Sequence, residues 1–398
     1  MKRYPRTALA ERLADDIGSK NSFGDAWNGL FLAAPRRTGK STFLRHDLRP
    51  ELEGRDHVVL YVDLWSNVKL DPGAVVADEI GRAIRAHAGK VSRWTREAGI
   101  VELDIGGTIK VDTSRIGQHE GLTLTDALGA LGDLVDRRPI VLMIEEAQHA
   151  LTSEDGAATM TALKAARDAL NSPDRAGLVL VMTGSDRDKL LRLVNANAAP
   201  FFGSRIRDLP LLDEEFVAFA VGLLEADNPR LGQVDVKALS VAFRAFGHRP
   251  QLFADAVSEA LDPLGEGGER FEGRVLRKAT EQRTREEARM RDDFLSLKPL
   301  EMAVVWRMFE EGSGFRAFGA SALASYRATL SSLGADDDKV TASRVQGALN
   351  HLRDRDPAIV WKSSRGEYAI DDVSMQHWYR KLRESGRWPP SPAPSGES

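Results

Sequence analysis

Leu30-Phe31-Leu32-Ala33-Ala34-Pro35-Arg36-Arg37-Thr38-Gly39-Lys40-Ser41-Thr42-Phe43-Leu44 is the stretch whose reading decides the fold. Residues 30–34 are a short apolar run and read as a buried strand, while Ser41 opens a helix directly after the loop. A loop that cradles phosphate needs successive backbone N–H groups turned inward, a residue without bulk where backbone meets phosphate, and one mobile cation. Gly39 and Lys40 supply the last two. In that pattern Ser41 ligates Mg²⁺, and the Ser41 and Thr42 amides at the helix N-terminus face the α- and β-phosphates. Ala34 stands where the pattern usually has glycine, and its methyl group is tolerable if φ is negative.

Working outward, residues 57–64 form a second strand, followed by Asp71-Pro72 as N-cap and first-turn pair of a helix running to about His87. Residues 101–111 alternate around Gly106-Gly107 and read as an inserted hairpin, with a helix starting near Thr123. The continuous apolar runs 140–144 and 178–182 flank a helix over 156–170, as strands covered on both faces of a parallel sheet do. A last candidate strand spans 205–211. Strands alternating with helices predict a three-layer α/β core with a parallel sheet over residues 1–212. Strands then vanish: 213–296 reads as an α-helical lid ending in a long charged linker helix from Phe271. Residues 297–382 read as three helices and a hairpin (359–361 and 367–370, joined by Ser363-Ser364-Arg365-Gly366), the order of a winged helix. The proline- and serine-rich 383–398 is expected to be a disordered tail.

The 398-residue chain suits several domains, and 42% hydrophobic with 29% charged residues is an ordinary globular composition. No apolar run approaches the ~20 residues of a membrane span, so a cytoplasmic protein with no membrane partner is expected. The absence of cysteine excludes disulfides, thiolate metal sites and cysteine nucleophiles. A net charge of −4 argues against a uniformly basic nucleic-acid coat, so a DNA contact has to come from a local patch.

The strand 140–144 runs into Glu145-Glu146-Ala147-Gln148-His149. Two carboxylates at the C-terminal end of a strand stand where metal and attacking water meet in such a sheet. Glu145 is the candidate to hold Mg²⁺ through water, and Glu146 the candidate to orient or deprotonate the nucleophile. An acidic helix N-cap is the plainer reading of the same pair. Thr183-Gly184-Ser185 breaks the strand 178–182, which the inferred sheet sets between the other two, so Thr183 or Ser185 is a candidate γ-phosphate sensor; a plain turn is the alternative.

These motifs resemble an AAA+-type ATPase of the archaeal-ATPase, or STAND-related, group of bacterial and archaeal ATP-binding proteins. The resemblance is carried by Pro35-Arg36-Arg37-Thr38-Gly39-Lys40-Ser41, Ile144-Glu145-Glu146-Ala147-Gln148, Thr183-Gly184-Ser185, Gly203-Ser204-Arg205, Gly247-His248-Arg249-Pro250 and Gly366-Glu367-Tyr368-Ala369-Ile370-Asp371-Asp372 with Trp378-Tyr379. It implies ATP and Mg²⁺ as ligands and hydrolysis to ADP and phosphate. It nominates Arg205, with Arg207, as an arginine reaching a γ-phosphate of its own or a neighbouring subunit, and Arg249 as a second sensor in the lid. The family has aspartate where Glu145 stands, and the longer side chain bears on metal geometry and hydrolysis rate.

The third helix of the winged helix, 341–354, carries Ser343, Arg344, Gln346, Asn350, His351 and Arg353, with Lys362 and Arg365 on the wing. Such residues contact phosphates and base edges, so Arg344, Asn350, Arg353, Lys362 and Arg365 make duplex DNA a candidate partner. Interleaved acids, Asp336-Asp337-Asp338 and then Asp354 and Asp356, fit a solvated or protein-docking face equally. Two functions share this chemistry: an ATPase coupling hydrolysis to movement of lid and winged helix on DNA, and a slow-turnover signalling switch whose winged helix binds a protein. A P-loop phosphotransferase ranks last, since neither helical module supplies an acceptor pocket. A homo-oligomer is expected only if an arginine acts in trans.

Overall fold

The computed structural model describes residues 2–18, 26–66, 70–87, 101–103, 109–111, 123–172, 175–195, 199–262, 270–335 and 339–391. It divides into two compact units, Met1–Gly232 with His248–Gln251, and Gln233–Gly247 with Leu252–Ser398.

In the first unit, β1 (Leu30–Ala33), β2 (Val58–Asp63), β5 (Ile140–Glu145), β6 (Leu178–Gly184) and β7 (Ile206–Asp208) form one parallel sheet in the order β2-β5-β6-β1-β7. Between β2 and β5 come β3 (Val101–Leu103) and β4 (Ile109–Val111), an antiparallel pair whose expected turn at Gly106-Gly107 lies outside the described residues. The strand 178–182, β6, does lie between β5 and β1. The last strand is shorter than the expected 205–211.

Successive strand residues point to opposite faces, which is why the sheet carries two separate cores. Phe31, Leu60, Leu142 and Leu180 pack against α4 (Pro72–His87), α5 (Leu124–Leu134) and α6 (Glu154–Leu170). Leu30, Leu32, Val141 and Val181 pack against α1 (Thr7–Gly18) and the helical run that follows the loop after β1. All six residues of β5 and all seven of β6 are buried, as a sheet covered on both sides requires.

That run consists of α2 (Lys40–Phe43), a π-helical turn Leu44–Leu48, and α3 (Arg49–Gly54). Pro50 lacks an N–H and its ring crowds the preceding turn, so the helix widens just ahead of it and continues. After α7 (Arg187–Leu191) and β7, α8 (Glu214–Asp227) belongs to the first unit. The core therefore extends past the expected boundary at residue 212. Tyr4 sets its ring edge-on to Phe216 and Phe219 and donates from its hydroxyl to Glu215 Oε2 at 3.2 Å, which ties α8 to the N-terminal segment.

The second unit contains α9 (Val236–Ala245), the rest of α10 (Pro250–Ala260) and the 25-residue α11 (Phe271–Leu295). Then come α12 (Pro299–Glu311), α13 (Ala320–Ser332) and α14 (Ala342–Asp354), the antiparallel pair β8 (Val360–Lys362) and β9 (Tyr368–Ile370), and α15 (Val373–Glu384). Three helices and a hairpin around one core make a winged helix. The expectation of a disordered tail from residue 383 needs correction. Helix α15 reaches Glu384, and Trp388 packs its ring 4.7 Å from Tyr379, 4.9 Å from Phe294 and 5.5 Å from Trp306. Trp388 is half-buried, and an indole with so many aromatic neighbours gains by packing on them rather than extending into water. Residues 392–398 lie outside the described residues. Among the described residues no helix is long and apolar enough to cross a membrane.

Candidate active site

In an open parallel sheet, ligands sit beyond the carboxyl ends of the strands where the strand order reverses. Here that point lies at β1, between β6 and β7. The loop leaving β1 folds on itself there: Thr38 Oγ1 donates to the Pro35 carbonyl at 2.7 Å, Arg37 takes φ 65°, and Gly39 takes φ 92° as the residue capping α2. Glycine suits that last position because it adopts positive φ at no steric cost. Ala34 is buried at the end of β1, its N–H donating to the Gly184 carbonyl at 3.1 Å.

Lys40 and Ser41 each meet one of the paired carboxylates. Lys40 Nζ forms an ion pair and hydrogen bond with Glu146 Oε1, both side chains being largely buried. Ser41 Oγ donates to Glu145 Oε2 at 2.7 Å. Glu146 Oε2 in turn accepts from Gln148 Nε2 at 2.7 Å and from Ser185 Oγ at 2.7 Å, with the Ser185 N–H at 3.3 Å. Glu146 holds φ 51° and ψ 43°, a left-handed conformation that costs a non-glycine residue energy and that clusters at functional sites. Gln148 is packed so closely that a Cβ on Gly184 would stand 2.6 Å from its Oε1.

The two carboxylates are driven apart in acidity. For Glu145, burial dominates and pushes its carboxyl above the usual range, against the pull of the Ser41 hydroxyl, the neighbouring Tyr61 hydroxyl and the Lys40 charge. For Glu146, burial would do the same, but the Lys40 ammonium with Ser185 and Gln148 overcomes it and holds the group below that range. Opposed shifts in adjacent carboxylates mark different chemical tasks.

Glu145 Oε1, Thr183 Oγ1 and Gln148 Oε1 are buried polar atoms with no hydrogen-bond partner among the described residues, and so is Tyr61 Oη beside Glu145. Unpaired buried polar atoms cost free energy, and a ligand that supplies their partners recovers it. A hydroxyl and a carboxylate already in contact, one with a spare oxygen, suit Mg²⁺, which binds through one or two protein oxygens plus phosphates and water. The residues present therefore fit a magnesium nucleotide.

Thus Lys40 and Ser185 meet on Glu146 and Ser41 meets Glu145, while Thr183 is buried at the end of β6 and makes no described side-chain hydrogen bond to them. The exposed Thr42 and Arg37 flank them on the loop and α2. Arg205 is exposed just before β7 and makes no described contact with this cluster, and Arg207 pairs with Asp16 at 2.6 Å. Arg249 lies in the segment His248–Gln251 of the same unit. Its neighbour His248 contacts the Leu212 carbonyl through Nδ1 at 2.7 Å, and Leu212 Cδ1 would stand 3.6 Å from a Cβ on Gly39. That segment thus lies beside the loop. Sequence reasoning missed Gln148 as a partner of Glu146, although a glutamine two residues after the carboxylate pair was visible.

In the second unit the candidate DNA residues divide. Arg344 and His351 line a groove with Lys298, Pro299 and the buried Glu301, where His351 Nδ1 lies 2.9 Å from Glu301 Oε1. On the wing side, Asn350 Oδ1 accepts from Gln346 Nε2 at 2.9 Å, and the Lys362 ammonium stands 5.6 Å from the Tyr368 ring centre. Arg353 pairs with Asp354 at 2.7 Å, and Arg365 is exposed at the hairpin turn.

Comparison with protein-family profiles and with curated proteins finds no match. Among solved structures the chain is similar to the ADP form of the ORC2 protein of Aeropyrum pernix, at 14% identity and TM-score 0.52, covering 95% of this chain and 94% of that one. The ORC1 protein of the same organism in complex with DNA aligns at 16% identity and TM-score 0.43, over 97% of this chain and 95% of that one. At such identities the likeness is one of fold. The chain has an AAA+-like fold: a three-layer P-loop core on a parallel sheet, a helical segment and a C-terminal winged helix.

Proposed function

We propose that the chain binds ATP with Mg²⁺ and hydrolyses it to ADP and phosphate, as a P-loop ATPase of the AAA+/STAND-related, archaeal-ATPase kind. The observation that carries this is the pairing of Lys40 with Glu146 and of Ser41 with Glu145, at the carboxyl ends of β1 and β5, beside unpartnered buried polar atoms. Without nucleotide, the lysine meant for phosphate is held by the carboxylate meant for water. On binding, the phosphates take Lys40, and Glu146, relieved of that charge, rises in basicity and can accept a proton from water. Ser41, and Glu145 through water, would hold Mg²⁺, which would supply charge neutralisation at the phosphates. Ser185 and Gln148 keep Glu146 oriented while Lys40 leaves. The ADP-bound state of the A. pernix ORC2 protein supports a nucleotide on this fold.

Nucleotide state is proposed to act through the helical segment on the winged helix, with duplex DNA as its partner through Asn350, Arg353, Lys362 and Arg365. A second reading, a slow-turnover switch with a protein partner, is favoured by Arg344 and His351 lining the groove beside Glu301 rather than joining the wing-side set. Turnover measured with and without duplex DNA separates the two. Stimulation beyond a few-fold supports the first, whereas no DNA binding even at low salt removes it.

A further inference from the structure

Arg36 is the third residue of the phosphate loop, and the fold of that loop aims it across the sheet. The tight turn closed by Thr38 and Pro35, with Arg37 at φ 65°, sends the Arg36 side chain toward the end of β6. Its Nε donates to Ser185 Oγ at 3.4 Å, and that hydroxyl donates to Glu146 Oε2 at 2.7 Å. The guanidinium is thus one hydroxyl away from the carboxylate assigned to water. Its carbon lies 4.8 Å from the ring centre of Trp65, which is 47% exposed and braced edge-on by His149 at 5.4 Å. The Trp65 backbone N–H donates to Asp63 Oδ1 at 2.9 Å, at the end of β2.

Among the described residues Arg36 forms no ion pair. Its partners are a neutral hydroxyl and an aromatic face, which keep the side chain extended at small cost and leave its charge uncompensated. Lys40, by contrast, has to give up a carboxylate. Arg207 is already tied to Asp16, and Arg205 has no described contact with the site.

We propose that Arg36 is a catalytic arginine supplied in cis, donating to the γ-phosphate oxygens of ATP bound in its own chain. This rests on the hydrolysis reading above. In the step, the water oxygen bonds to the γ-phosphorus as the bond from that phosphorus to the bridging oxygen breaks. The electron pair leaves on ADP, the water proton passes to Glu146, and the guanidinium meets the charge gathering on the three γ-oxygens. Turnover then needs no arginine from a neighbouring copy, and Trp65 reports whether the γ-phosphate has drawn Arg36 away.

The test compares wild type, Arg36→Ala and Arg36→Lys. Arg36→Ala should lower kcat by about 10²- to 10³-fold while ADP binds within a few-fold of wild type, which also shows that the variant is folded. Arg36→Lys should recover only a minor part, because an ammonium lacks the planar fork. Mixing Arg36→Ala with Glu146→Gln subunits should restore nothing; recovery would mean that the arginine works in trans and would overturn the proposal. A second readout needs no turnover: the preference for a non-hydrolysable ATP analogue over ADP should fall about tenfold or more in Arg36→Ala. The analogue, unlike ADP, should change tryptophan emission in wild type and not in Trp65→Phe. Wild-type kcat together with an unchanged analogue preference in Arg36→Ala sinks the proposal. If the wild-type chain binds but does not hydrolyse ATP, the hydrolysis reading fails by itself, and the analogue preference still decides whether Arg36 reads the γ-phosphate.

Discussion

Replacing Glu146 by Gln removes one negative charge from a side chain only 13% exposed, facing a Lys40 side chain 7% exposed. The amide can still accept from Ser185 and Gln148, so the main loss is the charged contact with Lys40. A hydrogen bond to a charged group contributes about 1.5–3 kcal/mol, so the ligand-free protein should lose ~2 kcal/mol. For a unit of this size that lowers Tm by roughly 4–8 °C. Nucleotide reverses the sign of the effect. Wild type has to break the ion pair to hand Lys40 to the phosphates and the variant does not, so the same ~2 kcal/mol should reappear as about 30-fold tighter ATP binding. Hydrolysis should fall by about 10²- to 10⁴-fold, the usual worth of a positioned general base. Equilibrium binding of ATP, steady-state turnover, and melting with and without nucleotide measure the three effects. A variant that hydrolyses ATP at the wild-type rate refutes the role given to Glu146. Unchanged melting and affinity refute the claim that Lys40 is held back by it.

The same ion pair sets a pH dependence. Lys40, Ser185 and Gln148 hold the folded Glu146 below its ordinary 4.5, so its stabilisation is fully present above the unfolded value and disappears as pH falls through the folded one. The difference in melting between wild type and Glu146→Gln should therefore shrink below about pH 4.5, and a difference that stays constant on acidification contradicts the pairing. Glu145→Gln should raise the Mg²⁺ concentration for half-maximal turnover by about tenfold or more, since the spare Oε1 loses its charge; an unchanged magnesium titration removes Glu145 from the metal site. Trp388→Ala should destabilise the second unit by ~3 kcal/mol in denaturant unfolding. Equal stability of Trp388→Ala and wild type would return residue 388 to the tail.

Much of the core was legible because the physics there is local. A strand covered on both faces must be continuously apolar, as Ile140-Val141-Leu142-Met143-Ile144 is, and a phosphate loop between strand and helix needs Gly39 and Lys40 at fixed spacing. The placement of Glu145 and Glu146 at the end of β5 could be read for the same reason. What could not be read were contacts between residues far apart in the chain. Nothing in the neighbourhood of Trp388, followed by prolines, signals the aromatic cluster that receives it. Helix α8 reads as the start of the lid until Tyr4, more than two hundred residues earlier, is seen to tie it to the first unit. The opposite acidities of two neighbouring glutamates depend on which one meets Lys40, and that is decided by the left-handed backbone at Glu146, which side-chain composition does not reveal.

The central claim, that this loop holds the phosphates of ATP, is tested most directly by calorimetric titration of the ligand-free protein with Mg²⁺ and a non-hydrolysable ATP analogue. Wild type should show saturable binding at a single site per chain, and Lys40→Ala, which keeps its fold by melting, should show none. Absence of binding to wild type, or equal affinity in Lys40→Ala, would contradict it.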